Sequence, residues 1–497
     1  MSAVGSILTN TGALQALNSI ATTSSTNNTL ESELSSGLSI NSPANHPSGY
    51  ITAQGFTSQL NGLTQAISNA NTGVSLLQTA QGAITQQIGV VQQLNSIAVQ
   101  AANGTQTPAE AQSLQNVVSQ LTGQVNTIAN QTQFNNINLL NGSFSGVQFQ
   151  VGANEGQTQS LSISNLSASA IGLNATSASA GVYDTGAAGS GAVTVGTGAT
   201  LPTAGAFTTT NPLAITGPSG GTGSVTISST LESAASLASA VNSLSGTTGV
   251  QAQATTKATF ALSNTTAGSG FSFTIQADKG GTAGTIGTAQ TINASSAAQI
   301  VSQINGGTST SGITASLDTS GNLVLSQASG DNIDLTSVTA GTLTSVGGTA
   351  PAAIVGATGG VSAVIQGQVQ FQSSGAFTVG NAAGIGLNDS STLTSLSDIN
   401  VSTTSGANTA INVVKYALAA LNNQGGELGA VQQALTANIN NLNTTSQNIT
   451  SALGVVQDAN IPAVSNQLTE AEIQAQSGVA ALKASTQLQQ SYLSLLP

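Results

Sequence analysis

Residues 60–98 read LNGLTQAISNANTGVSLLQTAQGAITQQIGVVQQLNSIA, and this stretch decides the fold. Leu60, Ile67, Val74, Gln81, Ile88 and Asn95 form one row at intervals of seven. Leu63, Ala70, Leu77, Ile84, Val91 and Ala98 form a second row beside it. Spacings that alternate three and four predict one long helix with a coiled-coil seam. At 1.5 Å per residue it is roughly 60 Å long, so it needs partner helices along its whole length.

Working outward, Asn103-Gly104 reads as a left-handed stop for this helix. Thr107-Pro108-Ala109-Glu110 then supplies an N-cap, a proline at the first helical position and an acid at the third. Leu114, Val118, Leu121, Val125 and Ile128 continue that second helix, so the pair is expected to fold back as an antiparallel hairpin.

A partner seam lies near the other end of the chain. Leu428, Leu435, Leu442, Ile449 and Val456 recur at sevens, with Val431, Asn438, Thr445 and Ala452 on the companion row. Polar seam residues cost stability but fix register and partner number, which suits a packed assembly better than an isolated dimer. Both extremities carry looser apolar stripes. Leu14, Leu17, Ile20, Leu30, Leu34 and Leu38 lead to an expected stop around Pro43 and Pro47. Beyond Pro462 come Leu468, Ile473, Val479, Leu482, Leu488, Leu493 and Leu496. Ser, Thr and Asn abound in both, so these ends are expected to fray in the monomer and order when neighbours bury them.

From about residue 175 to 390 the pattern changes to Gly, Ser, Thr and Ala with short alternating runs. Val225 to Ser228, Thr259 to Leu262, Phe271 to Ile275 and Leu323 to Leu325 read as strands between glycine turns. Two segments look like copies. Ala240-Val241-Asn242 and Gly249-Val250-Gln251-Ala252 have counterparts 63 residues on, in Gln303-Ile304-Asn305 and Gly312-Ile313-Thr314-Ala315. Each copy, about 225–277 and 290–335, reads strand, short helix, hairpin. The expected fold class is α+β and multidomain: long antiparallel terminal helices in a coiled-coil-like bundle, with β-rich central lobes.

Charge excludes several functions. Only 4% of the 497 residues are charged, and the four basic ones are Lys257, Lys279, Lys415 and Lys483. A nucleic-acid binder needs several Lys or Arg on one face to displace counterions from phosphate, so no nucleic-acid partner is expected. An anionic membrane is disfavoured for the same reason, and no run of 18 apolar residues appears. Cysteine is absent, which removes disulfides and thiolate metal sites. The start, MSAVGSILTNTGALQALNSI, has neither a positive n-region nor an unbroken apolar core, so a Sec-type signal is not expected.

Catalytic chemistry finds little to use. His46 is the lone histidine, set in a predicted loop, so neither a two-histidine zinc helix nor a credible Ser-His-Asp triad can be built. Glu31/Glu33 and Glu470/Glu472 are two apart, and on a helix such residues face different directions. Asp331 and Asp334 sit in a turn-like stretch, GDNID, with too few surrounding carboxylates for a calcium loop. Asn-x-Ser/Thr triplets such as those at Asn103, Asn141 and Asn293 arise by chance in a chain this rich in Ser and Thr. No enzyme, metal or cofactor is expected.

The terminal segments resemble bacterial flagellins. The residues that carry the likeness are LSSGLSINS (34–42), GLTQAISNANTG (62–73), SIAVQAANGT (96–105), NQTQFNNINLL (130–140), VGAN (151–154), LGAVQ (428–432) and the final LSLL (493–496). The resemblance covers roughly 1–175 and 390–497, and the two copied middle segments resemble a repeat of some flagellin variable regions. It implies a filament whose core is lined by terminal helices, 1–42 and 458–497. A shell of long helices, 43–175 and 390–457, with a small β-hairpin region, would surround that core. The variable region 176–390 would project outward. The resemblance also implies a secreted, extracellular subunit in the flagellum, with self, an export chaperone, the cap and the hook-junction proteins as partners. It further implies export through the flagellum's own type III channel. A hook-filament junction protein has similar ends and is the alternative within the family, and a surface-layer protein or adhesin is the alternative outside it.

The chain departs from flagellins in its charges. Ser39, Gln93, Asn95, Ala434 and Pro497 stand where arginine is usual, and Asn45-His46 where two aspartates are. In the family the arginine-bearing stretch resembles a surface read by an animal innate immune receptor, so Gln93 and Asn95 imply weak recognition. Contacts made by Leu, Val, Ile, Gln and Asn do not titrate, which implies a filament suited to an acidic medium.

Overall fold

A computed structural model describes residues 10–176, 193–197, 212–226, 233–263, 270–278, 285–346, 353–355, 361–382 and 387–493. Val225 to Ser228, expected as a strand, and Leu496 fall partly or wholly outside these residues. Three helices lead the chain: α1 (Thr11–Ser36), α2 (Pro47–Ala101) and α3 (Pro108–Gln131). α8 (Thr404–Gln457) and α9 (Ile461–Leu493) close it. The chain divides into two compact units. The first is Met1–Gln78, Gly146–Ser162 and Leu428–Pro497; the second is Thr79–Ser145 and Ile163–Glu427.

In the first unit α1 and α9 run antiparallel. The Asn10 amide donates to Ser485 O at 3.4 Å and Gln489 Oε1 at 3.0 Å, and Leu30 packs with Val464 and Ala471. α1 stops at Ser36, short of the prolines expected to end it. Gly37 adopts φ +73° and donates to Glu33 O, a left-handed closure that no β-carbon hinders. The two helix connectors then join each other: Ser39 N donates to Gln457 O at 2.8 Å and Ala459 N to Gly37 O at 2.9 Å. α2 and α8 are also antiparallel here, with Leu63, Ala66 and Leu442 in one apolar cluster. A hairpin of β3 (Val147–Gln150) and β4 (Thr158–Leu161) completes the unit.

In the second unit α2 ends without the left-handed residue expected at Asn103-Gly104, since neither takes a positive φ. Instead the Gln100 carbonyl accepts from Asn103 N and from the Gln106 side chain at 3.0 Å, so glycine's freedom is not needed there. α3 opens as its sequence predicts. Thr107 caps it, Pro108 takes the first position, and the Glu110 carboxylate reaches back to Thr107 N at 2.8 Å. These hydrogen bonds lower the Glu110 pKa. β1 (Gln133–Phe134) and β2 (Ile137–Asn138) form a tight hairpin after it.

The β region holds an antiparallel five-stranded sheet ordered β11 (Thr285–Ala294), β10 (Phe271–Asp278), β14 (Asn332–Ala340), β17 (Val361–Ile365) and β6 (Val193–Thr197). A second sheet runs β12 (Ile313–Leu317), β13 (Leu323–Gln327), β9 (Gln251–Ser263), β18 (Gln368–Ser373), β5 (Gly172–Ala175) and β20 (Thr392–Ser395). β15 (Thr342–Ser345) and β16 (Ala353–Val355) branch from it. A third consists of β19 (Thr378–Gly380), β7 (Leu213–Thr216) and β8 (Thr222–Val225). Two apolar cores share β9: Ala252 and Ala254 serve one, Ala258 and Phe260 the other.

The two copied segments make the same local structure. Each has a longer helix, α4 (Ala234–Asn242) or α6 (Ala297–Gly306), and a one-turn helix, α5 (Ser245–Thr248) or α7 (Thr308–Ser311). Each then has a left-handed glycine, Gly249 or Gly312. Asn242 clamps Ala252, its Oδ1 accepting from Ala252 N at 2.7 Å and its Nδ2 donating to Ala252 O at 2.9 Å. Asn305 does the same to Ala315 at 2.8 Å in both directions. Beyond the clamp the copies diverge. β12 and β13 form the expected hairpin around Asp318–Asn322, where Gly321 takes φ +82°. The corresponding Thr255-Thr256-Lys257-Ala258-Thr259 lacks turn residues, so β9 runs straight through and no hairpin with β10 forms. A second correction concerns GDNID: Asp334 belongs to strand β14 and not to a turn, because Ile333 and Leu335 insert into the core.

Candidate assembly surfaces

On α2 the row Leu63, Ala70, Leu77, Ile84, Val91 and Ala98 is buried throughout. A second buried row lies beside it at the same interval: Ala66, Gly73, Ala80, Gln87, Leu94 and Ala101. The row Leu60, Ile67, Val74, Gln81, Ile88 and Asn95 is only half-buried along its whole length. The chain's own partners therefore cover two rows and leave a third partly open. The second buried row escaped the sequence reading because Ala, Gly and Gln carry little hydropathy; their sevenfold recurrence was the available signal. Small size is what lets the neighbours close in. A β-carbon on Gly73 would sit 3.2 Å from Leu435 Cδ1.

The matching seam on α8 starts three heptads earlier than Leu428. Ala407, Val414, Leu421, Leu428, Leu435 and Leu442 are all buried, and Ile449 and Val456 are half-buried, while Val455 is 88% exposed. Two buried glutamines bond to the backbone of neighbouring segments. Gln87 Nε2 donates to Val125 O at 3.2 Å and Leu166 O at 3.1 Å, and Gln424 Oε1 accepts from Ser164 N at 3.0 Å. Buried amides placed this way fix register at the expense of apolar packing.

The flagellin-like motifs have physical roles in this arrangement. Gly62 faces the VGAN turn, where its added β-carbon would lie 3.0 Å from Ala153 Cβ, and Asn69 Nδ2 donates to Gln150 O at 3.1 Å. Asn135 and Asn136 turn the β1–β2 hairpin at φ +49° and +61°, a conformation asparagine tolerates better than most residues. Leu139 and Leu140 directly after it are fully buried.

On α1 and α9 the apolar stripes are left open. Leu14, Leu17 and Leu34 on one helix and Ile473, Val479 and Leu488 on the other are exposed, Leu17 by 50% and Leu488 by 58%. Leu482 is half-buried, and the side chain of Leu493 lies outside the described residues. Singly such residues are ordinary, but stripes along paired helices mark interaction surfaces. Gln93 is exposed and Asn95 half-buried on α2.

Residues with chemical potential are engaged in local hydrogen bonds. His46 Nδ1 accepts from Gly49 N at 3.1 Å, so the ring acts as a cap at the start of α2, with Pro47 next to it. The Asp331 carboxylate accepts from Gln327 Nε2 at 3.0 Å. Among the described residues no group of three or more His, Cys, Asp and Glu is arranged to hold a metal, and no helix is long and apolar enough to cross a membrane.

Residues 7–145 fit the bacterial flagellin N-terminal helical region, and residues 411–496 fit the bacterial flagellin C-terminal helical region. The B-type flagellin of Pseudomonas aeruginosa is 31% identical over 98% of this chain and 99% of its own length. Flagellin 1 of Proteus mirabilis is 38% identical over 34% of this chain and 45% of its own. Among solved structures, FliC from Burkholderia pseudomallei is similar at 21% identity and a TM-score of 0.29, over 73% of this chain and 99% of that one. That score bears no weight beside the full-length identity. With both terminal helical regions in place and the likeness running end to end, the chain belongs to the bacterial flagellin family.

Proposed function

We infer that this chain is the structural subunit of a flagellar filament, assembled outside the cell from copies of itself. The observation that carries the reading is the open apolar stripe on α1 and α9 in a chain that is flagellin-like from end to end. Each large apolar side chain removed from water contributes about 1.5–3 kcal/mol, and in a lone subunit these gain nothing. Copies stacked along the helices supply the missing cover.

In this reading 1–42 and 458–497 line the filament core, with Leu14, Leu17, Leu34, Leu482, Leu493 and Leu496 facing neighbouring termini. The segments 43–175 and 390–457 form the shell. The half-buried row through Leu60, Ile67 and Ile88, with Ile449 and Val456 of α8, meets adjacent subunits there. Leu63, Leu77, Ile84, Val91, Leu428, Leu435 and Leu442 hold each subunit together. Residues 176–390 face outward. An export chaperone, a cap and hook-junction proteins are the partners this role requires.

Electron microscopy of the purified protein tests the proposal, with long helical filaments as the expected outcome. Leu17→Asp and Leu488→Asp should each abolish them while leaving the monomer's circular dichroism unchanged. Filaments formed normally by both variants would overturn the assignment of the termini to the core. Because Gln93 and Asn95 offer no positive charge, purified monomer should activate the innate immune receptor of flagellins weakly. Activation equal to that by an arginine-bearing flagellin would contradict this.

A further inference from the structure

β14 runs through the middle of the five-stranded sheet, and its two faces differ in chemistry. Ile333 and Leu335 enter the apolar core, while Asn332 and Asp334 lie on the opposite face, and all four are buried. Register sets oxygen-bearing side chains around Asp334 on that face. On β10, Gln276 stands opposite Asp334 and Asp278 opposite Asn332. On the other side Val364 of β17 stands opposite Asp334, and the pairing of Ile365 with Ile333 brings Gln366 alongside Asn332.

Asp334 is 2% exposed, and neither of its carboxyl oxygens has a hydrogen-bond partner. Neither flanking strand offers a cation. β10 presents Asp278, itself negative, and β17 presents Ser362 and Val364. Burial, and then the charge of Asp278, push the Asp334 carboxyl up to about 7. An ionised carboxylate buried without donor or counter-charge is strongly unfavourable.

We propose that Asp334 and Asp278, with the amide oxygen of Asn332, form a binding site for one divalent cation, calcium by preference, on the polar face of β14. The donors are all oxygen, which selects hard cations over zinc or copper. Calcium accepts an irregular set of carboxylate, amide and water ligands, whereas magnesium demands a near-ideal octahedron that side chains fixed to two neighbouring strands do not supply. The bound ion neutralises both carboxylates and ties β10 to β14. With only two carboxylates the affinity belongs to the weak extracellular range, a dissociation constant of about 10⁻⁴–10⁻³ M. Asp331 takes no part, its carboxylate being held by Gln327.

Calorimetric titration of the chelator-treated full chain with calcium chloride at neutral pH, with thermal melts in parallel, tests the site. The expected result is one calcium per chain and a raised melting temperature. Asp334→Asn and Asp278→Asn should each weaken binding at least tenfold, and Asp331→Asn should leave it unchanged. If Asp334→Asn does not fold, Asp278→Asn carries the test alone. Absence of binding by the unaltered chain overturns the proposal, as does undiminished binding by both variants. Equal stabilisation by magnesium or by sodium at matched ionic strength also overturns it, because that is screening. A variant Asp334→Asn more stable than an unaltered chain that takes no calcium would identify a protonated acid in place of a cation site.

Discussion

At the scale of single residues, hydrogen-bonding polar side chains define this molecule more than charges do. Gln87 and Gln424, both buried, and Asn242 and Asn305, both exposed, each hydrogen-bond to the backbone of another segment. Neither carboxyl oxygen of Asp334 has a hydrogen-bond partner, and its effect has a definite sign. Its folded pKa of about 7 lies above the ordinary aspartate value of 3.8. Between those values the folded chain binds more protons than the unfolded one, so without divalent cations stability is greatest in acid and falls as pH rises from about 4 to about 7. The span is at most about 4 kcal/mol. Glu110 and Asp318 have lowered values, the first through its bonds to Thr107 and the second through Asn322. Their contributions have the opposite sign and are lost only at lower pH, below the ordinary carboxylate range, so the windows separate. Denaturant titrations in chelator should show the fall between pH 4 and 7, and Asp334→Asn should flatten it. A stability that rises over that interval in the unaltered chain would contradict the assignment.

At the scale of elements, legibility tracked chemistry. The long helices were readable because Leu, Ile and Val recur at sevens on α2 and α8, and the start of α3 because Thr107-Pro108-Ala109-Glu110 spells its own cap. The Ala66, Gly73, Ala80 row was not readable by hydropathy, since small residues mark closeness and not greasiness. The end of α1 was misplaced because prolines are the louder stop signal, whereas Gly37 closes the helix through a positive φ that needs no apolar signal. The divergence of the two copies was written in the contrast between Asp318-Thr319-Ser320-Gly321-Asn322 and Thr255-Thr256-Lys257-Ala258-Thr259, but only as turn chemistry beneath an otherwise matching pattern. What the copies retain is the asparagine clamp. Asn305→Ala leaves both Ala315 backbone groups without their partner, at a cost of about 1–3 kcal/mol, and Asn242→Ala should cost the same at Ala252. Denaturant midpoints of the two variants check this, and a loss below about 0.5 kcal/mol at both sites would show the clamps to be ornamental.

At the scale of the whole molecule, the charge inventory sets how an assembly of such chains should respond to its medium. Ion pairs between subunits fail in acid when carboxylates protonate and leave cations to repel one another. This chain has four lysines, one histidine and no arginine, so it cannot exceed about +6 even with every acid neutralised and the α-amino group counted. The apolar rows assigned to assembly consist of Leu, Ile, Val, Gln and Asn, none of which titrates, and the charged residues beside them on α1 and α9 are Glu31, Glu33, Glu470, Glu472 and Lys483. Exposed apolar stripes on α1 and α9 gain the same burial at pH 3 as at pH 7, and salt screens little where little charge exists. Filaments should therefore persist at pH 3 at subunit concentrations where they are intact at pH 7, with a critical concentration nearly independent of ionic strength. Sedimentation of filaments across pH and salt measures both. Depolymerisation in acid, or a steep salt dependence at neutral pH, would place ionic contacts at the subunit boundary and would mean that the few charges this chain retains sit where copies meet.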